Sequence, residues 1–284
     1  MLTHSRPGGG SDVFLRELSR YLSQELGATI IVKNVTGGSG ASAIAELARA
    51  TPDGSKFYAT TPTFIYTSLL SQPAYTYQDI EPLVNLFFDP ELIYTASDSP
   101  FQSLEDVLDK ARNSRGLWGA ANPASLERQS LEQLKLATGV NAAVISHEGG
   151  GDLMINVLNG TLDIGVGEAQ ELQSQLEAGS LRLLATLSDT RLAQFPEIPT
   201  VEELGYQVVV RKFRGIAAPK GLPAELIQQW EQAIERVMAN PQYQASYLGD
   251  NLRPNYIKHA EYQAFIDDFA NETRVYLRSV GIIE

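Results

Sequence analysis

A repeated order of strand, Gly- or hydroxyl-rich loop and helix constrains the fold of this chain most. Its first loop is Pro7-Gly8-Gly9-Gly10-Ser11-Asp12, and Phe14, Leu18 and Leu22, which recur every fourth residue, indicate a helix after it. Consecutive glycines leave backbone N–H groups open to a ligand, and a helix N-terminus carries a partial positive charge. The loop therefore predicts a site for a carboxylate or a phosphate. The alternative is a flexible turn in which Ser11 or Asp12 only caps the helix.

The same order recurs in the next part of the chain. The β-branched run Thr29–Lys33 leads through Gly37-Gly38-Ser39-Gly40 into an alanine-rich helix, and a strand over 56–60 leads through Thr60, Thr61 and Thr63 into another helix. In an open α/β sheet, strand ends of this kind meet at one edge, where ligands bind. We therefore expect these loops to lie together.

A comparable α/β pattern occupies residues 100–210. Ser103 and Asp106 form a capping-box pattern before one helix, and the small-residue loops 119–125 and 149–152 precede two others. The last part of the chain contains two amphipathic helices without strand alternation, so we expect it to pack on the first lobe. The pattern predicts two α/β lobes, the first comprising residues 1–98 and 213–284 and the second residues 99–212, with the two crossings acting as a hinge.

Composition and charge exclude several classes of function. With 34 acidic and 22 basic residues the net charge is -12, which argues against a broad nucleic-acid surface. There is no cysteine, and His4, His147 and His259 are far apart without metal-ligand spacing. No apolar run approaches the roughly 20 residues of a membrane helix. We expect a monomer without a cofactor, a metal site or a nucleic-acid partner.

Several further motifs occur in the order and spacing of a known family. They are Val32-Lys33-Asn34, Pro52-Asp53-Gly54, Leu158-x-Gly160-x-x-Asp163, Gly179-x-Leu181-Arg182 and Pro196-x-x-Pro199-Thr200-x-x-Glu203-x-Gly205. Together with the first loop they resemble the solute receptors of tripartite tricarboxylate transporters along essentially the whole chain. The resemblance implies an α/β, two-lobe type II periplasmic-binding-protein architecture with a ligand cleft between the lobes. It also implies a binding protein, not an enzyme, with a small carboxylate as ligand and membrane permease subunits as partners.

The resemblance further implies a periplasmic protein, or one that is lipid-anchored at the outer face of the cell membrane. No secretory leader is visible ahead of the Gly-rich turn. If the receptor interpretation is right, the full-length gene should encode a secretory leader, and a cytosolic enzyme or regulator should have none.

In this family two loop–helix elements, one in each lobe, hold a ligand carboxylate, partly through ordered waters. By this resemblance the first element is Gly8, Gly9, Gly10, Ser11 and Asp12, and the second is Gly119, Ala120, Ala121, Asn122 and Ser125. Further loops that match the family are Thr60, Thr61 and Thr63, and Gly149, Gly150, Gly151 and Asp152.

Two charged residues depart from the commonest family pattern. Glu168 stands where many relatives have an amide or a small residue, and Arg214 stands where others often have an aromatic residue. Because the arginine fork can donate two parallel hydrogen bonds to a carboxylate, we expect Arg214 to bind the second carboxylate of a dicarboxylate, with Glu168 as its partner in the empty site. Either residue could instead be a structural or surface charge. Phe64 is the aromatic residue that we expect at the ligand body, although such residues are more often part of the core.

A cytosolic α/β enzyme that binds a phosphate or a carboxylate is the main alternative. Against it, no loop continues as GxxxxGK(S/T), and no GxGxxG is followed by an acid about twenty residues later. There is no GxSxG turn, and the few histidines make a catalytic triad difficult to assemble. A regulatory domain of the same fold would carry a helix-turn-helix segment, which this sequence does not show.

Overall fold

The computed structural model describes all 284 residues and contains two β-sheets with helices around them. The predicted α/β class is confirmed. The contacts between residues divide the chain into two compact units. Unit 1 contains Met1–Pro7, Ser11–Phe88 and Phe213–Glu284, and unit 2 contains Gly8–Gly10 and Asp89–Lys212. No helix has the length and apolar content to span a bilayer.

Strands and α-helices are numbered separately in chain order. The strands are β1 (Leu2–Thr3), β2 (Lys33–Asn34), β3 (Tyr58–Thr60), β4 (Ile80–Phe88), β5 (Glu91–Ala96), β6 (Gly116–Ala120), β7 (Ala142–Ser146), β8 (Ile164–Glu168), β9 (Leu181–Thr186), β10 (Phe213–Pro219) and β11 (Arg253–Ile257). The α-helices are α1 (Gly10–Leu26), α2 (Ala41–Ala48), α3 (Pro62–Ser71), α4 (Leu104–Asn113), α5 (Leu126–Thr138), α6 (Gly150–Leu158), α7 (Ala169–Glu177), α8 (Ala224–Met238), α9 (Pro241–Gly249) and α10 (His259–Ser279).

Unit 1 is built on a 6-stranded sheet in the order β11-β4-β10-β3-β1-β2. β1 is parallel to β2 and β3, whereas β10 is antiparallel to β3 and β4. The carboxyl ends of β1, β2 and β3 therefore lie at the same edge of the sheet. Each of these strands is followed by a loop and a helix, as the sequence pattern predicts.

Unit 2 is built on a 5-stranded sheet in the order β7-β6-β8-β5-β9. β6 is parallel to β7 and β8, and β5 is antiparallel to β8 and β9. The carboxyl ends of β6, β7 and β8 share one edge, and the small-residue loops of this unit follow them. Ser103 caps α4 with Asp106 in a complete capping box, which confirms the predicted cap.

The chain passes from unit 1 to unit 2 between Phe88 and Asp89, earlier than the boundary after residue 98 that the sequence pattern predicts. β5 explains the difference because it pairs with β8 and β9 of unit 2. The chain returns between Lys212 and Phe213. A second difference concerns the run Thr29–Lys33, for which the sequence predicts a strand. The observed strand, β2, contains only Lys33 of this run together with Asn34, and it lies at the edge of the sheet, paired with β1 alone.

Each unit has its own apolar core. In unit 1, Leu18 and Leu22 of α1 pack in the same cluster as Trp230 of α8, and Tyr262 and Ile266 of α10 pack in a second cluster. The stripe predicted for α1 is therefore the buried face of that helix. A separate cluster in unit 2 is formed by residues such as Tyr94, Leu153 and Leu172.

Candidate ligand-binding site

The carboxyl edge of the sheet in unit 1 brings two helix N-termini together with polar strand ends. β1, β2 and β3 end there at Thr3, Asn34 and Thr60. α1 begins at Gly10 in the segment after β1, and α3 begins at Pro62 directly after β3. A helix N-terminus has unsatisfied N–H groups and a partial positive charge, so this edge suits an anion.

Ser11, in the first turn of α1, is held by a buried arginine. Arg214 Nη1 donates to Ser11 Oγ over 3.1 Å, and both side chains are buried. Gly215 of β10 pairs with Thr60 of β3, and continuing this antiparallel register by one residue places Arg214 opposite Thr61. A guanidinium charge is thereby fixed close to the first turn of α1, where it adds to the positive potential of the helix N-terminus.

Asp12 is fixed by side chains of α1 and β2. Its carboxylate accepts hydrogen bonds from Asn34 Nδ2 over 2.8 Å and from Arg16 Nε over 2.9 Å. Asn34 Nδ2 also donates to the carbonyl of Ser5 over 2.9 Å. These bonds tie the start of α1 to the end of β2, which supports the structural alternative for Asp12. Its direct contact with a ligand stays a prediction.

Two neighbouring threonines at the end of β3 differ in their hydrogen bonding. Thr60 Oγ1 bonds with the hydroxyl of Tyr262 over 2.8 Å. Thr61 is the N-cap residue of α3, but its hydroxyl makes no capping bond, and the buried Oγ1 has no hydrogen-bond partner in the protein. Leaving a buried hydroxyl unsatisfied costs about 1–3 kcal/mol. Thr61 Oγ1 is therefore a polar atom that a ligand or a water could satisfy.

Phe64 occupies a core position in unit 1. Its side chain is fully buried, and its ring lies 6.5 Å from Tyr58, 6.2 Å from Tyr77 and 6.1 Å from Phe213 between centroids. These contacts hold α3 against the sheet, which is the structural alternative of the sequence analysis. Thr63, one residue earlier, is also buried.

The predicted element 119–125 of unit 2 joins the end of β6 to α5. Ser125 Oγ accepts from the N–H of Arg128 over 3.1 Å and so caps α5. Asn122 Oδ1 accepts from the N–H of Ala124 over 3.1 Å. The polar side chains of this element therefore stabilise the turn and the helix start, as many Ser and Asn residues before helices do.

Gly119 is required by packing inside unit 2. A Cβ at this position would lie 2.2 Å from Leu153 Cδ1 and 2.6 Å from Leu162 Cδ1. The next residue, Ala120, ends β6 and is buried, and Ala121 is half-buried. The small residues at this strand end therefore have a structural reason that is independent of any ligand.

The Gly-rich loop before α6 lies next to the carboxylate of Glu171, which the sequence does not identify as a site residue. α6 begins at Gly150, with Gly151 and Asp152 in its first turn, and an added Cβ at Gly150 would lie 2.6 Å from Glu171 Oε2. The N–H of Gly10, which also belongs to unit 2, donates to Glu171 Oε1. Glu171 lies in the first turn of α7. Acids are so common at this helical position that the sequence carries no specific signal for it.

Glu168, at the end of β8, belongs to a buried charge cluster. Lys212 Nζ lies 2.8 Å from Glu91 Oε1 and 2.7 Å from Glu127 Oε1, and it also contacts Glu168 Oε1. All of these side chains are buried. Within unit 2, Glu168 contacts Lys212, the last residue of that unit. The pairing of Glu168 with Arg214 stays a prediction.

Three carboxyl groups contact the ammonium group of Lys212, and two of them, Glu91 and Glu127, have shifted pKa values. Burial raises the pKa of Glu91 to about 8, and the charges of Glu127 and Asp89 act in the same direction against that of Lys212. Burial also acts to raise the pKa of Glu127, but Lys212 outweighs it and holds that pKa below its usual value. The raised pKa therefore favours the protonated form of Glu91 at neutral pH, and the lowered pKa favours the ionised form of Glu127. The same carboxylates form a ligand set of the kind that divalent cations prefer, but the ammonium of Lys212 contacts all of them.

A cavity of about 650 Å³ lies elsewhere in unit 2 and is lined by Phe101, Lys110, Leu158 and Asp163, among others. Asp163 directly precedes β8, so this cavity lies at the amino ends of the parallel strands. The predicted loops follow the carboxyl ends of the same strands. None of the predicted site residues lines the cavity, and its lysine is paired with Asp163.

The sequence is similar to one family over almost its whole length. The model of the tripartite tricarboxylate transporter family receptor, TctC, matches residues 14–282. A UPF0065 protein of Cupriavidus necator is 26% identical over 280 residues, which cover 97% of this chain and 85% of that protein. Protein BugT of Bordetella pertussis is 25% identical over 288 residues, which cover 99% of this chain and 88% of BugT.

Solved structures of similar fold are periplasmic binding proteins and solute receptors. The periplasmic binding protein BugD has a TM-score of 0.91 at 23% identity, with 100% of this chain and 97% of BugD covered. A Rhodopseudomonas palustris protein described with adipate has a TM-score of 0.92 at 21% identity, with 99% and 96% covered. MatC from the same organism, described with bound malate, has a TM-score of 0.80 at 20% identity, with 89% and 88% covered. These likenesses confirm the predicted two-lobe periplasmic-binding-protein fold.

Proposed function

Because this chain belongs to the tripartite tricarboxylate transporter receptor family, whose members are solute-binding proteins, we propose that it captures a small organic carboxylate outside the cytoplasm and delivers it to membrane permease subunits. The favoured ligand is a dicarboxylate. In this proposal the protein acts as a monomeric receptor and performs no chemistry on its ligand.

The observation that carries the proposal is the polar edge of unit 1. There the first turn of α1, the buried guanidinium of Arg214 and the partnerless hydroxyl of Thr61 lie on adjacent elements. Backbone N–H groups and a fixed cation favour an anion, and a buried hydroxyl without a partner favours a ligand that can bond to it. A small carboxylate has the charge and the oxygen atoms that this combination selects.

Two proteins of similar fold support the proposal that the ligand is a dicarboxylate. One is described with adipate and the other with bound malate, and both of these ligands are dicarboxylates. At about 20% identity the side chains that contact the ligand can differ. The comparison therefore supports a dicarboxylate as the class of ligand, and the particular dicarboxylate is a question for experiment.

The proposal assigns different tasks to the predicted residues. The turn formed by Gly8, Gly9, Gly10 and Ser11 donates backbone hydrogen bonds to one carboxylate. Arg214 and Thr61 act on the second polar group of the ligand, and Asp12 holds the turn in place through Asn34 and Arg16. In unit 2, the loops 119–125 and 149–152 stay predicted contacts, while Glu168 belongs to the Lys212 cluster.

Thermal unfolding with matched compounds tests this function. Adipate is compared with hexanoate, which lacks one carboxylate, and with 1,6-hexanediol, which has no charge. A ligand at a hundredfold excess over its Kd stabilises a protein by about 2.7 kcal/mol, which raises Tm by several degrees. We expect adipate or malate to give such a shift, hexanoate a smaller one and the diol none.

Inorganic phosphate and citrate complete this panel. A shift with phosphate alone would favour the phosphate-binding alternative. No shift with any dicarboxylate or tricarboxylate at millimolar concentration would contradict the proposed function.

A further inference from the structure

Unit 2 leaves room at two glycines for the carboxylate of Glu171. An added Cβ would lie 2.6 Å from Glu171 Oε2 at Gly150 and 3.3 Å from the same oxygen at Gly167. Real Cβ atoms are essentially never found as close as the first of these distances, so a side chain at residue 150 would force the carboxylate to move. The absence of a side chain at Gly150 therefore leaves space for the carboxylate of Glu171 in its present position.

The carboxylate of Glu171 already makes the interaction that the proposed function gives to the ligand. It accepts a hydrogen bond from the N–H of Gly10, the first residue of α1. This N–H has no acceptor within its own helix, because the first N–H groups of a helix have none. A carboxylate at this place gains a charge-assisted hydrogen bond and the favourable potential of the helix N-terminus.

Two carboxylates cannot share this donor. One backbone N–H provides one proton, and two carboxylates near the same donor repel each other. A ligand carboxylate that binds the N–H of Gly10 must therefore replace Glu171 there.

We propose that Glu171 is an affinity-determining residue, whose side chain competes with the ligand carboxylate for the N–H of Gly10. This inference rests on the proposed function. The binding free energy of the wild-type protein then contains the interaction of the ligand carboxylate with the turn minus the interaction of Glu171 that the ligand replaces. Removal of the internal carboxylate makes binding tighter, which is the reverse of the usual result when a polar residue of a binding site is removed.

Titration calorimetry of Glu171→Ala with adipate, or with the dicarboxylate that gives the largest Tm shift, measures this effect. Glu177→Ala is the matched control, because Glu177 is an exposed glutamate at the other end of α7. We expect Glu171→Ala to lower Kd roughly tenfold, Glu171→Gln to lower it less, and Glu177→Ala to leave it unchanged. Unchanged or weaker binding by Glu171→Ala would overturn the inference, because Glu171 would then be neutral or would itself hold the ligand.

The amide resonance of Gly10 in ligand-free protein provides a second measurement. A carboxylate acceptor shifts an amide proton downfield, so we expect this resonance to move upfield in Glu171→Ala and to stay in place in Glu177→Ala. A resonance that does not move would overturn the inference even where affinities differ. If the wild-type protein binds no carboxylate, the proposed function fails and this inference fails with it. If the wild-type protein binds and Glu171→Ala binds no better, only this inference fails.

Discussion

Lys212 and Arg214 are two buried cations only two residues apart in the chain, and they belong to different units. Lys212 ends unit 2 and contacts the carboxyl groups of Glu91, Glu127 and Glu168. Arg214 lies in β10 of unit 1 and donates to the hydroxyl of Ser11 at the start of α1. The first cation is committed to acids of its own unit, whereas the second supports the turn that we propose as the ligand site.

The difference shows that burial of a charge does not by itself indicate a ligand site. A buried ion pair is retained when its partners compensate the loss of hydration, and removal of one partner then leaves an uncompensated charge. Removal of Lys212 should therefore lower mainly the stability of the protein, and removal of Arg214 should weaken mainly its binding of the ligand.

Lys212→Met is expected to have the largest effect. It leaves three buried carboxyl groups without their shared ammonium, which should cost about 3–5 kcal/mol of unfolding free energy in urea. Lys220→Met is the control, because Lys220 is exposed. The loss should shrink at acidic pH, where the carboxyl groups take up protons. A variant as stable as the wild type at pH 7 would show that the ion pairs of Lys212 do not stabilise the folded protein.

Arg214→Ala should act mainly on binding. We expect a loss of about 2–5 kcal/mol in the binding free energy of a dicarboxylate, and a much smaller loss for the matched monocarboxylate, because only the dicarboxylate has a second charge for the arginine. Arg211→Ala, at an exposed position of the same segment, is the control. Circular dichroism must show an intact fold. Equal losses for both ligands would mean that Arg214 does not bind the second carboxylate.

The pH dependence of stability should come from Glu91. Its pKa in the folded protein is about 8, above the ordinary value of 4.5, so the folded state holds a proton that the unfolded state has released. Stability from this group is therefore complete below pH 4.5 and falls as the pH rises from 4.5 to about 8. Glu91→Gln should flatten this part of the profile, and Glu197→Gln, at an exposed position, should not. A profile that is equally steep in Glu91→Gln would assign the proton to another group.

The smallest effect is expected for the neighbouring threonines. Thr61→Val removes a hydroxyl without a partner, so stability should stay unchanged or rise, while ligand binding weakens by about 0.5–1.5 kcal/mol. Thr60→Val breaks the bond to Tyr262 and should lower stability by a similar amount. The same loss of stability in both variants would show that Thr61 also has a structural bond.

The sequence predicted the local elements of this fold well, because their signals are local. The helix after the Gly-rich turn follows from the spacing of Leu18 and Leu22, and the cap of α4 follows from Ser103 and Asp106. The edge at which β1, β2 and β3 end follows from the repeated loop pattern. The family resemblance, which rests on motifs spread along the chain, is confirmed by the match over residues 14–282.

The pairing of charges was beyond the sequence. Glu91, Glu127 and Lys212 are far apart in the chain and meet only through the order of the strands in unit 2. One signal was available, because Glu91 begins an apolar strand, where an acid requires a partner. The role of Glu171 had no such signal, since its contact with Gly10 joins two residues that neither periodicity nor a motif connects.

A crystal structure of the protein with the dicarboxylate that gives the largest Tm shift would show directly whether the Gly-rich turn binds the ligand. We expect one ligand carboxylate within hydrogen-bonding distance of the backbone N–H groups of the turn Gly8–Ser11, with the side chain of Glu171 displaced from Gly10. Ligand density that is confined to the cavity beside Phe101 and Lys110, with Glu171 still bound to Gly10, would contradict it.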